Sequence, residues 1–106
     1  MIRVAVMYPS GEGKTFDHDY YVQKHMALVR ARWGGFGLVK IEVDRGLGGG
    51  APNAPAPYLA VGHVFFDTLT SFQQASRAHG KELFADVPNF TNVAPQVQIS
   101  EVIHQS

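Results

Sequence analysis

Ile2, Val4, Val6 and Tyr8 alternate with Arg3, Ala5 and Met7, and Pro9 closes the run, so the chain opens on a β-strand with neither face clearly wet. The period then changes. At about 100° of rotation per residue, Tyr21, Val22, His25, Leu28, Val29, Arg32 and Trp33 share an arc of roughly 120°, while Gln23, Lys24, Ala27, Arg30 and Ala31 point away. This predicts a helix over 18–33 whose buried face carries His25 and Arg32 where leucine would be expected. Asp17 suits its N-cap, Phe16 can staple onto Tyr21, Asp19 complements the helix dipole, and Gly34-Gly35 stop it.

Residues 36–45 form a second strand, with Val39, Ile41 and Val43 opposite a wet face of Lys40, Glu42 and Asp44. Residues 58–66 are almost continuously apolar, broken by His63, and predict a strand covered on both faces. Thr68 begins a second helix reaching about Phe84, with Leu69, Phe72, Ser76, His79 and Leu83 along one stripe. A last strand, 96–104, carries Val97, Ile99, Val102 and Ile103. The order βαββαβ implies an α+β, ferredoxin-like split βαβ arrangement: an antiparallel sheet with both helices on one side. Apolar residues on both faces of the first and third strands then need a cover on the open side, most simply a second copy. A homodimer closing a dimeric α+β barrel is the expectation.

The connecting segments carry weaker signals. Residues 9–16 contain Gly13-Lys14-Thr15, but the two glycines are separated by one residue rather than the four a phosphate loop needs, and a turn is the better reading. Residues 46–57 (GLGGGAPNAPAP) can hold no regular structure; with no helix following to supply a dipole, they read as a connection rather than an anion site.

At 106 residues, the chain reads as a single domain, 1–106. Nine basic residues balance nine acidic ones with no like-charge run, so there is no footprint for nucleic acid or an anionic membrane. The absence of cysteine excludes disulfides, thiolate nucleophiles and iron–sulfur ligation. No stretch is apolar for long enough to span a bilayer or to serve as a signal peptide, which makes a soluble, cytoplasmic protein the expectation.

The chemistry centres on the first helix. An imidazole or guanidinium buried without a partner costs on the order of 2 kcal/mol or more, so His25 and Arg32 must pair, snorkel, or line a cavity that is not solidly packed. Histidine titrates near neutrality and suits general acid/base work. Tyr21, four residues before His25, could orient it or a ligand hydroxyl; Arg32 could clamp a carboxylate; His63 is a further candidate facing a ligand. No HExxH or paired-carboxylate spacing exists, so no metal site is expected, and no cofactor is required for such chemistry. A haem with His25 as axial ligand is the related alternative.

Tyr8-Pro9 at the end of the first strand, Phe16-Asp17 with Tyr20-Tyr21 and His25 on the first helix, and Asp86-Val87-Pro88-Asn89-Phe90-Thr91 near the end of the chain together resemble the EthD family of the dimeric α+β barrel superfamily. The resemblance covers nearly the whole chain. It implies kinship with muconolactone isomerases and polyketide monooxygenases, and some members are encoded beside a cytochrome P450 system for ether degradation. It also implies a site in which Asp86 supports His25 as the acid/base and Phe90 borders the ligand. The family often follows its histidine with Met-Pro-Leu; Met26-Ala27-Leu28 here predicts a straighter helix. Two functions follow: a cofactor-independent enzyme (an isomerase, dehydratase or monooxygenase-like protein) acting on a small apolar metabolite, or a non-catalytic accessory protein that binds a hydrophobic ligand or assists an oxygenase system. A pocket of about 300 Å³, the low end for ligand sites, separates both from a purely structural dimer with a filled interior.

Overall fold

The computed structural model describes Met1–Ser106. Strands β1 (Ile2–Pro9), β2 (Leu38–Arg45), β3 (Tyr58–Phe66) and β4 (Gln96–Glu101) form one antiparallel sheet in the order β2-β3-β1-β4. Helix α1 spans His18–Tyr20, Tyr21–His25 and Met26–Trp33 without a break, and α2 spans Leu69–Ala85. This is the α+β, ferredoxin-like arrangement read from the sequence.

Register decides what each face of the sheet carries. Val4 pairs with Val64 and Ile99, and Val6 with Gly62 and Val97, so these side chains share the face under the helices. There Val4, Tyr8, Ala60, Val64 and Phe66 pack against Tyr21, Met26, Val29 and Trp33 of α1 and Phe72, Ala75 and Leu83 of α2. The helices leave the β4 edge half open: Val97 and Ile99 point toward the helix layer yet stay 46% and 49% exposed. On the other face Phe65 is fully buried in the single chain, because Arg3 and Lys40 lie across its ring at 5.1 and 4.6 Å. That face also carries Ala5, Met7, Val61 and His63.

Several expectations need correction. The helix at 18–33 is not regular: Tyr21–His25 is a π-turn, in which the Met26 N–H reaches the Tyr21 carbonyl. The extra residue in that wide turn brings Met26 inward with Tyr21 and His25 and leaves Val22 exposed, so replacing proline with Ala27 does not straighten the helix. Gly34–Phe36 continues α1 as a 3₁₀ turn, and the turn ends at Gly37, whose φ of 88° favours glycine. Strand β2 therefore starts at Leu38, and an irregularity between Leu38 and Lys40 leaves Val39 half exposed. Strand β4 ends at Glu101, with Ile103 in solvent. Residues 46–57 form neither helix nor strand.

Candidate active site

Two local devices bring the site together. Asp17 caps α1 by accepting from the Tyr20 N–H at 3.0 Å, and Phe16 packs edge-on to Tyr21, its ring centroid 5.0 Å away. The segment after α2 then folds back on this helix start. The Asp17 N–H donates to the Phe90 carbonyl at 2.8 Å, Phe16 and Thr91 form a β-bridge, and Asn92 bonds the backbone of Gly13 and Thr15 at 2.9 Å each. A 3₁₀ turn at Val87–Asn89, with Pro88 inside it, ends α2 and aims Asp86 at α1.

The result is a histidine held from one side. His25 is buried, and its Nδ1 lies 2.9 Å from Asp86 Oδ2. The other carboxylate oxygen, Oδ1, accepts from the Tyr20 hydroxyl at 2.8 Å and from the Asn89 amide at 2.9 Å. Burial works against ionisation of Asp86, but the hydrogen bonds from Asn89, His25 and Tyr20 outweigh it and hold its pKa below the usual carboxylate value. The same bond pushes the Tyr20 phenol up. An ionised Asp86 accepts the proton on Nδ1, which leaves the Nε2 lone pair as the free face of the ring.

His25 borders an apolar slot of about 70 Å³ between helices and sheet, lined by Val4, Val6, Met26, Val29, Leu83 and Val97 among others, with Tyr8, Tyr21 and Ser76 as its side-chain hydroxyls. The slot is far smaller than the ~300 Å³ of a whole-ligand pocket. It adjoins an open groove of about 440 Å³ along Phe84, Val87, Pro88 and Thr91 to Pro95; Phe84 and Val87 stand in both walls. The Tyr21 ring stacks on His25 at 5.3 Å and 11°. Burial raises the Tyr8 phenol to about 12, partly offset by Tyr21, and raises Tyr21 further still, with a contribution from Tyr8. Gly62 makes room for them: a Cβ there would collide with the Tyr21 hydroxyl and lie 3.0 Å from Met26 Cε.

The sequence-predicted residues divide. His25, Asp86 and Tyr21 meet at the slot or directly behind it. Phe90 packs on the back of the dyad, its centroid 4.8 Å from His25 and 4.9 Å from Tyr21, and is not a slot wall. Arg32 lies at the margin of its arc, where its long side chain reaches the surface and pairs with Glu82 at 2.9 and 3.1 Å; it clamps nothing in the slot. His63 is on the opposite face of the sheet, because successive residues of β3 alternate, and its Nε2 meets Asp44 Oδ2 at 2.8 Å. The remaining histidines are dispersed: His18 bonds the Leu59 carbonyl at 3.0 Å and His79 lies 3.8 Å from Glu82. No three His, Asp or Glu side chains converge as a metal set.

Sequence reasoning missed Tyr20, Asn89 and Tyr8. A flat helical wheel sets Tyr20 about 100° from Tyr21 and off the His25 face, yet the carboxylate stands between Tyr20 and His25 and takes a bond from each. An aromatic pair before the histidine and an amide three residues after the aspartate were the available signals.

Comparison with known proteins bears on the family and the fold. The family model described as EthD domain matches residues 10–94. The fold superposes on an EthD-like protein from Ralstonia eutropha JMP134 with a TM-score of 0.91 and 41% identity, covering 99% of this chain and 94% of that one. An ethyl tert-butyl ether D family protein from Bacillus halodurans C-125 gives 0.73 and 24%, covering 97% and 99%. A putative monooxygenase from Shewanella loihica PV-4 gives 0.61 and 10%, covering 98% and 95%, and shares the fold. No curated protein matches the sequence.

Proposed function

Since the chain belongs to the EthD family, we propose that it is a small enzyme that moves protons on a largely apolar molecule, with His25 as the acid/base, Asp86 holding it and Tyr21 positioning. One observation carries this reading: His25, held at Nδ1 by Asp86, lines a free volume whose walls are otherwise almost wholly apolar. In such surroundings a proton acceptor is poorly solvated and a bound group cannot be bypassed by water. The slot admits the reactive end of a ligand, and the adjoining groove along Phe84 and Val87 takes its body. No helix of the structure is long and apolar enough to cross a membrane.

The open sheet face is covered by a second copy in this proposal. Ala5, Met7 and Val61 stand half-buried on it with no helix of this chain over them, and the matching face of a symmetry mate would cover them. Sedimentation at micromolar concentration checks this: a dimer is expected, and a stable monomer contradicts it.

His25→Ala tests the enzymatic reading. Turnover of an identified substrate should fall by about 10³-fold with the fold retained by circular dichroism. Ligand binding that survives the substitution, with no product by mass spectrometry from the wild type, would instead favour an accessory role, as a carrier or as an assistant to an oxygenase system.

A further inference from the structure

The slot holds a second piece of chemistry opposite the imidazole. Tyr8 comes from β1 and Tyr21 from α1, their ring centroids 5.6 Å apart and nearly perpendicular, and both line the same slot as His25. Tyr8 brings its phenol from the sheet wall, while His25 comes from the helix wall, where Tyr21 stacks on it at 5.3 Å. The slot's other walls are apolar apart from Ser76, so Tyr8 is the donor the sheet offers to a group held beside the imidazole.

We propose that the slot binds an enolisable carbonyl compound, a ketone or lactone, with its oxygen on the Tyr8 hydroxyl and its α-carbon at His25 Nε2. The inference rests on the acid/base reading above and names its substrate class. A donor and a proton acceptor on different walls of one apolar slot match what a carbonyl and its neighbouring C–H need, and match neither a hydrocarbon nor a carboxylate. The step balances without a further reactant. The α-C–H bond breaks, its proton passes to Nε2, and the electron pair moves through the carbon to leave an enolate oxygen that accepts from Tyr8. Return of the proton to the same carbon gives exchange; return to a conjugated carbon gives an isomer. A volume of about 70 Å³ suits this, being space for roughly two waters' share of liquid and so for a carbonyl with its α-carbon.

The experiment is α-proton exchange of butanone and of cyclopentanone in D₂O, followed by proton NMR. Wild-type protein should accelerate exchange above buffer, His25→Ala should abolish the acceleration, and Tyr8→Phe should cut it by about 100-fold. Tyr21→Phe, which removes a second slot hydroxyl but keeps the ring stacked on His25, should give a smaller loss. Tyr8→Phe is nearly isosteric, and circular dichroism checks its fold; if it does not fold, the Tyr21→Phe loss decides. Exchange lost in His25→Ala but unchanged in Tyr8→Phe and Tyr21→Phe overturns the carbonyl placement and leaves the acid/base reading standing. Exchange insensitive to His25 overturns both. Absence of acceleration by the wild type overturns the carbonyl class, and the His25→Ala effect on an identified substrate then decides the acid/base reading separately.

Discussion

The sheet carries one histidine–aspartate pair on each face, and the two differ in everything except the contact itself. His25–Asp86 and His63–Asp44 close to 2.9 and 2.8 Å. Asp86 is 14% exposed and takes bonds from Tyr20 and Asn89 besides the imidazole; Asp44 is 64% exposed and has no such supports. His25 lines free volume, whereas the second nitrogen of His63 is sealed without a partner. Distance alone does not make a proton-transfer site. What matters is that the carboxylate is immobilised and that the remaining ring nitrogen has somewhere to act.

The comparison can be broken at its carboxylates, and the largest effect is expected there. Asp86→Asn keeps the shape but replaces an acceptor-only oxygen with an amide that can donate, so the Nδ1–H tautomer loses its anchor. Turnover of an identified substrate should fall by about 10²-fold or more, read as kcat/KM. Next comes packing. Gly62→Ala places a methyl against the Tyr21 hydroxyl and Met26, and should lower stability by about 1–3 kcal/mol in denaturant titration and disturb the slot together with the fold.

A gentler probe is acid. Asp86 ionises more readily in the folded chain than unfolded, so its contribution to stability is present above the ordinary carboxylate pKa and is lost as pH falls through the lowered folded-state value. Wild type should lose stability on that descent more steeply than Asp86→Asn, whose acid limb should be flatter in thermal melts. The smallest effect belongs to the other face. Asp44→Asn should leave turnover within about twofold and stability within about 1 kcal/mol, because a half-solvated pair contributes little.

Much of this was legible in the residues because period and register are local. The alternation in 2–8 and the apolar run 58–66 placed β1 and β3, and the helical arc of 18–33 put Tyr21, His25, Val29 and Trp33 inside. What an ideal wheel could not contain is the π-turn, since one inserted residue changes who faces inward: Val22 left the core and Met26 entered it. Arg32 shows a second limit, because a long side chain at the edge of an arc can reach the surface whatever its Cα direction. His63 shows a third. Its strand is apolar on both sides, so period alone could not say which face the histidine took. The supports of Asp86 depend on a clasp between residues 13–17 and 90–92, which only tertiary structure creates.

The most direct test is the position of the proton on His25, read by nitrogen–proton correlation NMR of the imidazole at a pH where the ring is neutral. The account predicts a protonated Nδ1 and a bare Nε2, with that preference lost in Asp86→Asn. A proton on Nε2, or a tautomer indifferent to Asp86, would contradict it.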